Sequence, residues 1–302
     1  MLELFLNYLR FERNRSMLTV QRYEKSLRDF LDYCKSQDES IVWETVDSDL
    51  IRGWMETLVD NGKKAASVNA DLAAVKTFYR FALARKLVEK DPAHVVSGPK
   101  KQKPLPQFVK EAEMDKLLDE TDWDDDYNNV RARTILLLLY ETGIRRGELV
   151  GLDDKDVDFV AGQLKVTGKR NKQRIVPFGE ELASELHHFI EVRDREVDKQ
   201  SAALFLNKHG NRISAGQVYK DVRENLTKVT TMKKRSPHVL RHSFATAMLN
   251  HQAGLECVRR LLGHESIETT EIYTHTTFEQ LRRVYKDAHP RGDGHEEGVK
   301  PL

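Results

Sequence analysis

The sequence predicts a mainly α-helical chain with a small antiparallel β-sheet, arranged as an N-terminal four-helix bundle followed by an α+β domain. Three observations carry that expectation. Apolar residues recur at helical spacing in four closely linked stretches before residue 90. A segment bearing Pro92, Pro99, Pro104 and Pro106 then breaks the periodicity. Beyond it, VDFVAGQLKVTGKRNKQRIVPF alternates apolar and polar residues as strands do, between stretches that are again helical. A chain of 302 residues suits two domains, since domains commonly run to roughly 100–200 residues.

Taken in order, Leu2, Phe5, Leu6 and Leu9 mark a short amphipathic helix. A second helix is expected near Thr19 as its N-cap, with Val20, Tyr23, Leu27, Phe30, Leu31 and Cys34 inward. The third runs from about Asp49, turns Leu50, Ile51, Trp54, Met55, Leu58 and Val59 inward, and stops at Asn61-Gly62. The fourth starts near Ser67, buries Val68, Leu72, Val75, Phe78, Tyr79 and Ala82, and ends before Asp91-Pro92. Short connections let these helices pack as an independent bundle. Asp91 to Gln107, with its basic KKQK, reads as an interdomain linker.

A helix from about Lys110 to Leu118 leads through the acidic run DETDWDDD to RARTILLLLYETG, a helix apolar enough to be largely buried and ended by Gly143. IRRGEL follows at once. The alternating stretch is expected to form antiparallel strands around a basic hairpin tip at Gly168 to Lys172. Further helices are expected over Glu180 to Arg193, Ser214 to Val229, SPHVLRHSFAT, and about Thr277 to Asp287, after which HPRGDGHEEGVKPL reads as a flexible tail.

Composition bounds the function classes. With 39% hydrophobic and 32% charged residues the chain has the balance of a soluble globular protein, and its formal charge of +1 gives no global sign of an anionic partner. The local clusters KKQK, KRNKQR and KKR are basic, yet each alone is best read as solvated surface. Cys34 and Cys257 lie far apart among apolar neighbours, which suits reduced thiols and a cytoplasmic protein. No apolar run approaches the roughly 18 residues of a membrane span, and the start lacks a signal peptide's basic lead.

The chemistry-bearing residues crowd into Ser236 to His275. His238 and Arg241 are spaced to share one helix face, and His264 precedes Tyr273 across a short polar link. Attack on a phosphodiester needs a nucleophile, charge neutralisation at the non-bridging oxygens and a proton for the departing oxygen. Tyr273 can supply the first. Arg145 and Arg241 suit the second, because a guanidinium donates two parallel hydrogen bonds to phosphate. Lys169 or Lys172 at the hairpin tip suits the third. Every one of these residues has a plainer reading: Tyr273 as packing, His264 as a C-cap after Gly263, Arg145 as an ion-pair partner of Glu148. A covalent phosphotyrosine would conserve bond energy. Neither metal nor ATP nor any other cofactor is expected, and the sequence holds no Walker loop and no carboxylates or other residues at metal-ligand spacing.

TGIRRGEL, VTGKRNKQRIVPF, SPHVLRHSFAT and LLGHESIETTEIYTH, in that order, resemble the four active-site signatures of the tyrosine recombinase (phage integrase-like) family, and the likeness extends over essentially the whole chain. Within the family it resembles the Xer type. The resemblance implies Arg145 and Arg241 as catalytic arginines, Lys169 rather than Lys172 as the hairpin lysine, His238 and His264 as the histidines and Tyr273 as the nucleophile. It also implies a helical, SAM-like core-binding domain over residues 1–90, a linker over 91–107, a catalytic domain over 108–290 and a tail over 291–302. By the same resemblance the two domains clamp double-stranded DNA at a specific site. Four protomers, identical or shared with a paralogous recombinase, exchange strands through a Holliday junction. The C-terminal helix docks on a neighbour, and a septal DNA translocase assists in resolving chromosome dimers at cell division. Arg146, Gly147 and Arg170 depart from the residues common in the family, beside the reactive positions rather than at them, and Ala247 stands where a histidine is common after FAT, a neutral change. A mobile-element integrase is the nearest alternative, followed by a type IB topoisomerase and a non-catalytic architectural DNA-binding protein.

Overall fold

The computed structural model describes residues 1–100, 107–168, 171–263 and 275–292, the side chains of 275–280 excepted. The chain divides into two compact units, Met1–Pro104 and Leu105–Leu302. It is mainly helical, with a small antiparallel sheet, as the sequence predicts.

The first unit holds α1 (Leu2–Asn7), continued by one π-helical turn over Tyr8–Glu12, then α2 (Met17–Gln37), α3 (Ser48–Asp60) and α4 (Ala65–Ala84). Its core is aromatic: Phe30 packs on Trp54 with ring centroids 4.9 Å apart, and Trp43 on Phe78 at 4.4 Å. All six residues expected inward on α4 are buried. Two details differ from expectation. Ser16, not Thr19, caps α2: its Oγ accepts the Thr19 backbone N–H at 3.3 Å, so Thr19 lies in the first helical turn. Val59, expected inward, is exposed, one residue before the end of α3. The stretch read as a linker from Asp91 begins inside this unit, because Ala93 and Val96 are buried in its core.

In the second unit, α5 (Glu111–Asp119) precedes α6 (Tyr127–Thr142), the axis of the fold. Residues Ile135 to Leu139 of α6 are all fully buried, so no face is left for water. The helices α8 (Glu180–Glu196), α9 (Ala215–Val229) and α10 (Pro237–Asn250) pack around it. Between α6 and α8 come the short α7 (Arg146–Val150) and the strands β1 (Val157–Asp158), β2 (Gln163–Thr167) and β3 (Gln173–Pro177). The strands are antiparallel in the order β1-β2-β3, with Thr167 opposite Gln173 at the hairpin end. There the Gly168 N–H donates to the Lys172 carbonyl at 2.7 Å.

The chain closes with α11 (Leu255–Leu262) and α12 (His275–Ala288). The segment expected to be a flexible tail starts firmly anchored. His289 is fully buried, its ring stacked on Tyr285 and Phe244, and Arg291 pairs with Asp115 at 3.1 Å, Asp119 at 2.5 Å and Glu181. Residues beyond 292 lie outside the described ones. Both cysteines are free, Cys34 buried and Cys257 half-buried. Among the described residues, no helix is long and apolar enough to cross a membrane.

Candidate active site

The site starts from a glycine turn. Gly143 ends α6 in the left-handed region at φ +58°, where its N–H still bonds to the Leu139 carbonyl. A Cβ there would lie 2.5 Å from Phe244 and 2.8 Å from Leu262, so glycine permits both the turn and the close approach of α10 and α11. The turn delivers Arg145 to the N-cap of α7, where Glu148 reaches back to its backbone N–H at 2.8 Å in a capping-box geometry.

Arg241 comes from α10, which Pro237 opens at its first position. It is buried, and its guanidinium donates to the Gly143 carbonyl at 2.6 Å and the Leu262 carbonyl at 2.7 Å. These are the carboxyl ends of α6 and α11, where unpaired carbonyls and the helix dipole favour a cation. Arg145 donates to the Gly263 carbonyl at 3.1 Å and to Glu148 Oε1 at 2.9 Å. From β3, Arg174 donates through Nε to the Leu261 carbonyl at 3.0 Å. Three successive carbonyls at the end of α11 thus receive three arginines from three different elements.

Their electrostatics follow from this crowding. Burial first, and then the neighbouring charge of Arg145, push the Arg241 guanidinium down to about 10, which leaves it charged near neutrality. Burial pushes the Glu148 carboxyl up, but hydrogen bonds and charge from Arg174, followed by the contacts of Arg145, hold it below its ordinary value. His238 stands one turn before Arg241 on α10, exposed, its ring edge-on to His242 at 4.9 Å. Loss of water around the ring, then His242, Lys234, Arg241 and Arg145, lower its pKa below 6.5, so it is mainly neutral at pH 7.

Of the six residues picked out from sequence, Arg145 and Arg241 converge on the end of α11, and His238 shares a helix with Arg241. Lys169, His264 and Tyr273 lie outside the described residues. Lys172, the other lysine at the hairpin tip, is exposed. Sequence reasoning overlooked Arg174 and gave Glu148 only the plain part of an ion-pair partner. The spacing of Glu148 behind Arg145 signals a capping box. Arg174 carries no such signal, since its acceptors lie 26 and 87 residues away.

Residues 107–280 match the phage integrase family, and residues 2–86 match the phage integrase N-terminal SAM-like domain. The chain belongs to the phage integrase family. Tyrosine recombinase XerC of Chlorobaculum tepidum is 37% identical over 95% of this chain and 93% of that protein. Tyrosine recombinase XerD of Staphylococcus epidermidis is 36% identical over 96% of this chain and 98% of the relative. In fold, this family member is similar to the XerH site-specific recombinase bound to palindromic difH substrate, with a TM-score of 0.70, 22% identity, and coverage of 90% of this chain and 80% of that one. It is also similar to the Tn1549 transposon integrase in complex with transposon right end DNA, with a TM-score of 0.71, 19% identity, and coverage of 93% and 98%. Within the phage integrase family this chain is of the Xer type, a tyrosine recombinase whose class of reaction is the breaking and rejoining of DNA strands.

Proposed function

We propose that this recombinase cuts double-stranded DNA at a specific site through a 3′-phosphotyrosine on Tyr273 and rejoins the strand to a new partner. The phenolic oxygen of Tyr273 attacks phosphorus, and the bond from phosphorus to the 5′ oxygen breaks. Arg145 and Arg241 hold the non-bridging oxygens as negative charge grows on them. His238, neutral near pH 7, is suited to take the tyrosine proton, and Lys169 gives a proton to the departing 5′ oxygen. His264 adds a hydrogen bond to the phosphate. A 5′ hydroxyl from the exchanged strand then attacks phosphorus and gives its proton to Lys169, while the bond from phosphorus to Tyr273 breaks and His238 returns the proton to the phenolic oxygen. Each phosphodiester broken is replaced by one formed.

Supporting the reading most directly is the convergence of Arg145 and Arg241 on the carbonyls of Leu262 and Gly263, which directly precede His264 in the chain. Four protomers, all of this chain or shared with a paralogue, pass through a Holliday junction, and the product is the resolution of chromosome dimers at division with a septal DNA translocase as helper. The Xer names of the relatives favour that role over a mobile element's. The reaction is tested by selecting duplexes that the full chain binds from a randomised pool, placing a nick beside each candidate phosphate, and looking for a denaturation-resistant adduct. The wild-type chain gives the adduct and Tyr273→Phe does not; an adduct that survives Tyr273→Phe refutes the nucleophile.

A further inference from the structure

Arg174 uses all three of its nitrogens on protein acceptors: Nε on the Leu261 carbonyl at 3.0 Å, Nη1 on Glu148 Oε1 at 2.8 Å and Nη2 on Glu148 Oε2 at 2.9 Å. Its side chain is only 11% exposed, against 39% for Arg145. The fold leaves room for it. A Cβ on Gly263, at φ +62°, would lie 3.1 Å from three atoms of Arg174, and one on Gly168 would lie 3.3 Å from Glu148 Oε1. Two glycines therefore let β3, the hairpin and the end of α11 close around one buried ion pair.

The consequence concerns charge. Glu148 is a buried carboxylate lying between Arg174 and Arg145, and it bonds to both the backbone and the side chain of Arg145. A buried carboxylate deprived of one cation turns fully on the other. Without Arg174, the carboxylate would compete with phosphate for the Arg145 guanidinium, the other guanidinium bonded to it. We infer that Arg174 is a positioning residue, which neutralises Glu148 and so leaves the charge of Arg145 for the scissile phosphate; this rests on the recombinase reading above.

A charge cycle tests it in the full chain, with Arg174→Ala, Glu148→Gln and the double variant. On the selected nicked duplex at saturation, Arg174→Ala slows single-turnover adduct formation about 100-fold, as misplaced catalytic groups do, with a smaller change in duplex affinity. Adding Glu148→Gln removes the unopposed charge while keeping the helix cap, and returns the rate to within about tenfold of wild type. Arg174→Lys stays slow, because an ammonium cannot span both oxygens and the carbonyl. Losses that simply multiply in the double variant would mean an ordinary structural role. A loss of duplex affinity matching the loss of rate would mean that Arg174 touches DNA itself. Either result overturns the inference.

A second measurement needs no cleavage. The unfolding midpoint of the wild-type chain rises when inorganic phosphate replaces chloride at equal ionic strength, since a ligand that binds the folded state stabilises it. The rise disappears in Arg174→Ala and returns in the double variant. If the wild-type chain forms no adduct yet the phosphate pattern holds, the recombinase reading fails and the charge role of Arg174 stands. If the adduct forms but neither cycle shows recovery, the role of Arg174 falls alone. A wild-type chain with neither adduct nor phosphate shift overturns both.

Discussion

The Tyr285 hydroxyl donates to the Glu141 carboxylate at 3.0 Å, tying α12 to the last turn of α6 just upstream of Arg145. Glu141 is completely buried. Burial pushes its carboxyl up to about 8, with the Glu181 charge adding to the rise and Tyr285, Gly179 and Arg291 pulling against it. In the unfolded chain the same group titrates near its ordinary value of roughly 4.3. The folded chain therefore holds a proton that the unfolded chain releases. The associated stability is whole below the unfolded value and is lost as pH rises through the folded one. Glu141→Gln cannot ionise, so its stability relative to wild type improves by a few kcal/mol between about pH 5 and pH 8, where the folded carboxyl titrates last. Urea unfolding at a series of pH values measures this. Parallel stability curves for the two chains would rule it out.

The two arginines of the site do more than carry charge. Arg241 spans the Gly143 and Leu262 carbonyls with two nitrogens of one planar group, and Arg145 spans Glu148 and the Gly263 carbonyl in the same way. Lysine keeps the charge but has no fork. Arg145→Lys and Arg241→Lys are each expected to slow adduct formation by about 10²–10³-fold, the usual cost of removing a preorganised donor from a developing oxyanion. Single-turnover kinetics on the nicked duplex decide it, and a wild-type rate in either variant would remove that arginine from the site.

His238 gives the pH signature. Its pKa is lowered, first by loss of water and then by His242, Lys234, Arg241 and Arg145, so the folded chain gives up this proton more readily than the unfolded one. Its contribution to stability is present above the unfolded value and is lost as pH falls through the folded one. Adduct formation should fall off over the same acid range, below 6.5, as the base becomes protonated. His242 shifts in the same direction for similar reasons, so it serves as the comparison. His238→Gln abolishes the acid limb and lowers the plateau, whereas His242→Gln keeps the limb. A limb unchanged in His238→Gln would exclude it as the base.

The fold was largely legible because its determinants are local. The apolar run from Ile135 to Leu139 sits inside the longer stretch RARTILLLLYETG, whose length suits a buried helix rather than a strand, and Gly143 could be read as its end. Arg145 and Arg241 were legible as candidates through their motifs, Arg145 just after the glycine turn that ends α6 and Arg241 on α10. The misses share a physical cause, which is dependence on distant residues. His289 and Arg291 look like a polar tail until Tyr285, Phe244, Asp115, Asp119 and Glu181 arrive around them from other elements. Arg174 reads as one more charge on a basic hairpin until Glu148 and the end of α11 meet it. The cap of α2 was missed for a smaller reason: Ser16 and Thr19 are both capping residues, and their hydroxyls lie 2.8 Å apart.

Gly143 and Gly62 separate backbone strain from close packing. Both have positive φ, +58° and +76°, and both end a helix. A side chain at Gly62 would meet nothing within 4 Å, whereas one at Gly143 would collide with Phe244 and Leu262. Gly62→Ala should therefore cost only the left-handed backbone, about 1–2 kcal/mol. Gly143→Ala adds overpacking of about 1–3 kcal/mol. It also has a further effect that Gly62→Ala lacks. The Gly143 carbonyl accepts from Arg241, and Leu262, which a new methyl would push, carries the other carbonyl that Arg241 holds. Displacing either shifts the guanidinium that we propose holds the phosphate, so Gly143→Ala should lose adduct formation by about 100-fold even at temperatures where it stays folded. Chemical denaturation and single-turnover cleavage on the two variants check the pair. Equal stability losses, or a wild-type rate in folded Gly143→Ala, would show that the turn does not set the position of Arg241.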